Sequence, residues 1–318
     1  MTTDFNGDKK LDVAYLVDLH ATVVLGDGLG GFYASSPSAI TARDIYWSST
    51  ADINGDQNPD LIFSSSSGVS VCLGDGLGNL GAERGLAVTG SGGYKAALGD
   101  FNSDNKIDLA VINPLSATVT VYFGSGLGDF PTSAVFSLPS QPSISIATGD
   151  WNGDKKPDLV IGQTGAVLVL LGNGVGDFPT ITSLPISGAA ESIAVADFNG
   201  DRQLDLAFSD SAGGRLGALL GDGMGGFPVT ASFAISAPPS CVVAGDFIGD
   251  KLPDLAVTSQ KRSLAKVLLG NGKGGFAVQG SFALAADPYP RCPAIGDFNG
   301  DAKPDLAIGS LIFANQAQ

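Results

Sequence analysis

Short apolar runs, separated by glycine, proline and aspartate, recur along the whole chain as copies of one repeat. In the fourth repeat these runs are Ser143–Gly149, Leu159–Gly162, Ala166–Leu171 and Thr180–Ile186. Short apolar runs bounded by turn-forming residues predict β-strands, which we call A, B, C and D. The density of glycine and the lack of a 3.6-residue apolar period exclude a helical solenoid.

An acidic nine-residue segment, Asp150–Asp158 in the fourth repeat, joins strands A and B. Equivalent segments begin at Asp4, Asp52, Asp100, Asp197, Asp246 and Asp297, so successive first aspartates lie 48, 48, 50, 47, 49 and 51 residues apart. Four short antiparallel strands in about 50 residues are typical of a propeller blade. We therefore predict an all-β fold in a single domain over residues 1–318, a seven-bladed β-propeller of four-stranded antiparallel blades.

The two ends of the chain depart from this repeat. Only residues 1–3 precede the first acidic segment, and after Asp305 the chain has a B strand but neither a glycine-rich turn nor a D strand. The last blade is therefore predicted to be incomplete, and we expect the natural protein to continue beyond this chain.

The acidic segments have the composition of calcium-binding loops. Oxygen-bearing side chains occupy positions one, three, five and nine, and the backbone carbonyl of position seven completes a set of hard ligands. The alternative is an Asx-rich turn without a metal, which needs only one or two Asn or Asp residues. Three carboxylates packed together in each loop would repel one another without a cation, so we expect up to seven bound Ca²⁺ ions.

The expected ligands include the position-seven residue of each loop, which contributes its carbonyl oxygen. The sixth loop has Ile248 at position three and is expected to be the weakest site. The ligands are Asp4, Asn6, Asp8, Lys10, Asp12, Asp52, Asn54, Asp56, Asn58, Asp60, Asp100, Asn102, Asp104, Lys106, Asp108, Asp150, Asn152, Asp154, Lys156, Asp158, Asp197, Asn199, Asp201, Gln203, Asp205, Asp246, Asp250, Leu252, Asp254, Asp297, Asn299, Asp301, Lys303 and Asp305.

A glycine-rich turn joins strands C and D. Its first copy, at residues 26–31, matches the G-x-G-x-x-G pattern of dinucleotide-binding proteins, but no helix follows to hold a pyrophosphate. The turn recurs in six repeats and ends in an apolar residue, which is Phe32, Leu80, Phe130, Phe178, Phe227 or Phe276. We predict structural hairpins whose apolar residue packs between blades.

The net charge of −15 says little about partners, because the seven loops contain 21 of the 32 acidic residues. Seven calcium ions would leave a net charge of about −1, so folding is expected to depend on calcium. We expect no nucleic acid partner. The sequence has no apolar stretch long enough to cross a membrane and no signal peptide before the first repeat.

Three cysteines are too few for a disulfide framework. Cys241 and Cys292 each lie five residues before an acidic loop, so they occupy equivalent places in successive repeats. These places allow a bridge between neighbouring repeats, but free buried thiols are expected instead.

The chain resembles the FG-GAP/VCBS-type repeats of integrin α-subunit propellers, bacterial surface and secreted proteins, and some fungal lectins. The matching runs are D-x-N-G-D-x-x-P-D-L, as in Asp150–Leu159 and Asp297–Leu306, and L-G-N-G-x-G-x-F, as in Leu171–Phe178. The resemblance covers nearly the whole chain. It implies a seven-bladed propeller with calcium loops on one face, ligand binding on the other face, and an extracellular location, secreted or at the cell surface.

The D–A and B–C connections form the rim opposite the acidic loops, where we expect ligands to bind. Candidate ligand-binding residues are Tyr46, Trp47, Tyr94, Glu191 and Arg291, and the B–C connections add charged residues such as Asp210 and Arg215.

From these observations we predict a calcium-binding extracellular module for adhesion or for carbohydrate or protein recognition. The alternative is a non-catalytic scaffold within a larger secreted or surface protein or enzyme. Catalysis is not expected, because His20 is the only histidine and no nucleophile–base set can be drawn without it.

Overall fold

Two compact units make up the chain in the computed structural model. Unit 1 comprises Met1–Pro142, Gly174–Asp177 and Gly296–Asp301, and unit 2 comprises Ser143–Asn173, Phe178–Ile295 and Ala302–Gln318. The structure describes residues 1–17, 19–35, 37–42, 44–86, 88, 95–113, 115–139, 142–284, 292–308 and 311–313.

Unit 1 contains three antiparallel sheets whose strands pair in chain order. The first sheet has β1 (Thr2–Thr3), β2 (Asp12–Val17), β3 (His20–Gly26) and β4 (Phe32–Ala34), and β5 (Ser38–Ala39) also pairs with β3. The second has β6 (Trp47–Ala51), β7 (Asp60–Ser65), β8 (Gly68–Cys72) and β9 (Arg84–Leu86). The third has β10 (Lys95–Gly99), β11 (Asp108–Asn113), β12 (Thr118–Phe123) and β13 (Thr132–Ser137).

The remaining strands, most of them in unit 2, form four further sheets. The fourth has β14 (Ser143–Gly149), β15 (Asp158–Leu171) and β16 (Thr180–Ala189), and the fifth has β17 (Ser192–Ala196), β18 (Asp205–Asp210), β19 (Arg215–Leu220) and β20 (Val229–Ala234). The sixth has β21 (Cys241–Gly245), β22 (Asp254–Ser259), β23 (Leu264–Gly270) and β24 (Phe276–Ala283). The seventh has β25 (Ala294–Gly296), β26 (Asp305–Ile308) and β27 (Leu311–Phe313).

Strand β15 takes the place of the predicted B and C strands of the fourth repeat. Its first half pairs with β14 and its second half with β16, and the exposed Thr164 and Gly165 separate the two buried halves. The fourth sheet is therefore a complete blade made of three strands.

Six sheets thus form complete blades, one fewer than the seven blades predicted from the repeats. The seventh acidic loop leads into a sheet with three described strands, because the chain after Asp305 lacks the glycine-rich turn and the D strand. The prediction of an all-β propeller of four-stranded antiparallel blades is confirmed, and the predicted total of seven blades is corrected to six.

Burial follows the order of the strands within each blade. The B strands β7, β11, β18 and β22 are buried at every position, whereas the D strand β13 is exposed along most of its length. Strand D is therefore the outer edge of the blade, and the core lies around strands B and C. The described chain contains one helix, the three-residue Gln260–Arg262, and no helix of membrane-spanning length.

The tip of each glycine-rich turn is bonded to the acidic loop of a neighbouring blade. A turn glycine with positive φ donates its N–H to the carbonyl of loop position two, an arrangement that a side chain at the glycine would strain. The six pairs are Gly30–Phe298, Gly78–Phe5, Gly128–Ile53, Gly176–Phe101, Gly225–Trp151 and Gly274–Phe198, with N–O distances of 2.8–3.2 Å.

Apolar residues of the turns and loops pack around these bonds. Phe32 lies edge-on to Phe298 at a ring separation of 5.7 Å, and Phe276 lies edge-on to Phe198 at 5.2 Å. At these two junctions the prediction that the turn's apolar residue packs between blades is confirmed.

A disulfide bond joins the sixth and seventh repeats. Cys241 opens β21, Cys292 lies two residues before β25, and their Cα atoms are 5.2 Å apart. The expectation of free thiols is wrong for these two residues, because equivalent places in neighbouring A strands put the Cα atoms within bonding range. Among the described residues no turn-to-loop bond joins the sixth and seventh repeats, and the disulfide joins them instead.

Thiol counting with a chromogenic disulfide reagent tests this pairing. Cys72 is buried, and burial raises the pKa of its thiol to about 12, so the native protein should show no reactive thiol. Denaturant without reductant should reveal one thiol, and reduction should reveal three. Three thiols in denaturant alone would contradict the pairing.

Candidate functional site

The first aspartate of each acidic loop holds the loop's backbone in a tight wrap. Asp150 Oδ1 accepts the N–H groups of Gly153 at 2.7 Å and Asp154 at 3.1 Å, and Oδ2 accepts the N–H of Lys155 at 2.8 Å. Asn152 Oδ1 also accepts the Asp154 N–H, at 3.0 Å. The bond from the fifth-position N–H to the first aspartate is present in all seven loops.

The ninth-position aspartate is a buried clamp within its own blade. Asp158 has no exposed surface; its Oδ2 accepts the N–H of Trp151 at 2.8 Å and its Oδ1 accepts the N–H of Gly172 at 2.7 Å. It therefore ties the acidic loop to the glycine-rich turn. The same pair of bonds is made by Asp12, Asp60, Asp108, Asp205 and Asp254.

Burial raises the pKa of all six clamp carboxyls, and the two backbone N–H donors oppose this shift. The first- and fifth-position carboxylates of the same loop raise it further by repulsion, as Asp154 and Asp150 do for Asp158. The three carboxylates of a loop are therefore close enough to interact.

The fifth-position aspartate is the most loosely engaged of the three. Asp154 Oδ1 accepts the N–H of Lys156 at 3.0 Å, and its Oδ2 lies 3.4 Å from the Lys156 ammonium. In the second and fifth loops Oδ2 instead accepts the amide of the position-three Asn at 2.9 Å. These contacts are exposed, and exposed ion pairs contribute little to stability.

The loops fit calcium in their chemistry, since three carboxylates and an amide oxygen are the hard donors that Ca²⁺ takes. In the described residues, however, no three acidic, histidine or cysteine side chains converge in a metal-binding group. The first and ninth carboxylates are already engaged by backbone N–H groups. Calcium binding at the loops thus stays a prediction, as does the weakness of the sixth site.

Three of the five predicted ligand residues can be placed. Tyr46 is 44% exposed, whereas Trp47 is half-buried against the core around Val69. Glu191 Oε1 accepts the hydroxyl of Ser211 at 2.7 Å, which attaches it to the B–C turn of the fifth blade. Tyr94 and Arg291 lie outside the described residues.

A cavity of about 260 Å³ lies in unit 2 on the same B–C turn. Asp210 and Arg215, both noted from the sequence, belong to its lining. Sequence reasoning missed the other residues, Thr164, Ser187, Gly188, Ala189, Ala212 and Gly213. Only the break of the strand pattern at Ser187-Gly188 hinted at them, because the fourth and fifth blades contribute them from separate parts of the chain.

Solved β-propellers share this architecture. An Agrocybe aegerita lectin that recognises non-reducing terminal N-acetylglucosamine is 17% identical, with 98% of this chain and 84% of that chain covered and a TM-score of 0.62. BBS1N, solved in complex with ARL6DN, is 11% identical, with 98% and 89% covered and a TM-score of 0.65. Virginiamycin B lyase from Staphylococcus aureus is 14% identical, with 96% and 90% covered and a TM-score of 0.61.

At these identities the likeness concerns the fold, and it defines the class of protein as a β-propeller. The model of the FG-GAP-like repeat matches residues 4–63, 52–111, 100–161, 150–208, 197–257 and 246–308. The chain therefore belongs to the FG-GAP-like repeat family. No curated protein matches it in sequence.

Two substitutions in the fourth loop compare the contributions of the clamp aspartate, Asp158, and the fifth-position aspartate, Asp154, to stability. In calcium-free buffer Asp158→Ala should lower the free energy of unfolding by about 3–5 kcal/mol, because two buried N–H groups lose their acceptor. Asp154→Asn keeps the Lys156 N–H bond, so it should change stability by only about 0.5 kcal/mol. Chemical denaturation measures both, and equal losses would contradict the assignment.

Proposed function

We propose that this propeller is a non-catalytic, calcium-binding recognition module that works outside the cell. The proposal of calcium binding rests on the fifth-position acid of each loop. The wrap needs the first aspartate and the blade needs the ninth, but the fifth aspartate of the fourth loop, Asp154, accepts one backbone N–H, and an asparagine could also accept it. A third charge beside two others destabilises the loop unless a cation offsets it.

The proposal of an extracellular location rests on the disulfide and on the calcium concentration that such loops need. Disulfides such as Cys241–Cys292 persist in oxidising compartments and are rare in cytosol. Extracellular calcium modules bind with Kd of about 10⁻⁴–10⁻³ M, so loops of this kind would fill outside a cell.

A glycan is the first candidate ligand, and a protein is the second. The lectin similar to this chain recognises a terminal N-acetylglucosamine, and BBS1N binds a protein, so the architecture serves both purposes. The cavity on the B–C turn favours a small ligand over a flat protein surface. A scaffold role within a larger secreted or surface protein stays the alternative, favoured if neither ligand is found.

Thermal melting tests the calcium proposal. With about 1 mM Ca²⁺ the melting temperature should rise above its value in EDTA, since each site with a Kd near 10⁻⁴ M adds about 1.4 kcal/mol. Asp154→Asn should remove part of this rise while leaving the EDTA value nearly unchanged. Mg²⁺ at the same concentration is the control for ionic effects, and an unchanged melting temperature in Ca²⁺ would refute calcium binding.

A further inference from the structure

The residue five positions after the clamp aspartate occupies an equivalent place in each complete blade, and in the fifth blade it is the acidic Asp210. The equivalent described residues are neutral and buried: Ser65, Asn113, Gln163 and Ser259. Asp210 is only 1% exposed. Burying an ionised carboxylate costs far more free energy than burying these neutral groups, so a buried carboxylate needs a partner that offsets this cost.

The turn next to Asp210 does not need the charge. Asp210 Oδ1 accepts the N–H of Gly213 at 2.9 Å, which closes the B–C turn. Asn113 Oδ1 closes its own B–C turn in the same way, accepting the N–H groups of Leu115 at 3.1 Å and Ser116 at 3.3 Å. A neutral amide is therefore sufficient for the structural task.

The second carboxylate oxygen of Asp210 has no donor among the hydrogen bonds of the described residues, and no described cation forms an ion pair with it. It faces two glycines of the cavity wall. A Cβ at Gly188 would lie 2.0 Å from Oδ2, and one at Gly213 would lie 2.1 Å from it. Gly188 also has φ +105°. Only glycine fits beside Oδ2 at these two positions, so the carboxylate is buried but remains part of the cavity lining.

The remaining lining supplies groups of mixed character. Arg215 is exposed and offers donors, the hydroxyls of Thr164 and Ser187 both donate and accept, and Ala189 and Ala212 add small apolar surface. An ammonium ligand would be repelled by Arg215, and a carboxylate ligand by Asp210. A polyhydroxyl compound satisfies both, because each hydroxyl donates and accepts.

We propose that this cavity binds one ring of a neutral saccharide, with Asp210 Oδ2 accepting hydrogen bonds from its hydroxyl groups and Arg215 donating to its oxygens. The volume of about 260 Å³ suits one sugar ring rather than a longer segment. The inference rests on the proposed glycan-binding function and assigns it to a site in unit 2 that does not involve the acidic loops.

The test is binding of neutral monosaccharides and of a glycan array by the whole chain, followed by calorimetric titration of the best free sugar. Asp210→Asn copies the amide of Asn113 and should fold normally, yet weaken binding at least tenfold. Arg215→Gln should also weaken binding. Arg262→Gln, which changes an exposed arginine at the B–C connection of the sixth blade, is the matched control and should bind like the wild type.

The outcomes separate this site from the broader function. Wild-type binding that survives both Asp210→Asn and Arg215→Gln would overturn the cavity as the sugar site while leaving glycan recognition intact. A wild-type protein that binds no sugar on the array or in millimolar titrations would overturn both. Unchanged melting temperatures of the variants exclude misfolding as the cause of lost binding.

Discussion

The rest of each blade depends on the hydrogen bonds that the buried aspartate at loop position nine accepts. Its two carboxylate oxygens accept one N–H from the acidic loop and one from the glycine-rich turn, at 2.7–2.9 Å in six blades. Charge-assisted bonds to backbone donors are strong in a buried setting and offset part of the cost of removing the charge from water. The clamp thereby fixes the loop beside the turn.

The clamp also positions the part of the loop that binds the neighbouring blade. With the loop held in place, its position-two carbonyl accepts the N–H of a neighbouring blade's turn glycine in six of the loops, and its position-two side chain is buried in the core. Loop, turn and blade junction are thus joined by one continuous set of hydrogen bonds. The three acids of a loop differ in task, and in the fourth loop the fifth-position carboxylate accepts the fewest backbone N–H groups.

Much of this architecture could be predicted from the repeat. Strand β14 begins and ends where the apolar pattern placed strand A, and the A–B and C–D connections of each blade follow from turn residues. The bonding partners of each aspartate could not be predicted, because D-x-N-G-D-x-x-P-D suits both a calcium loop and an Asx wrap. The cavity could not be predicted from the sequence for a different reason. It combines Gly188 of one repeat with Asp210 of the next, and a single sequence does not show such a juxtaposition.

Amide hydrogen exchange in calcium-free buffer tests the central claim most directly. If the clamp organises the blade without metal, the N–H groups of Trp151 and Gly172, which Asp158 accepts, should exchange as slowly as those of strand β15. The exposed N–H groups of Gly153 and Asp154 should exchange faster and serve as the internal reference. Exchange of the Trp151 and Gly172 amides as fast as this reference, with β15 still protected, would contradict the account.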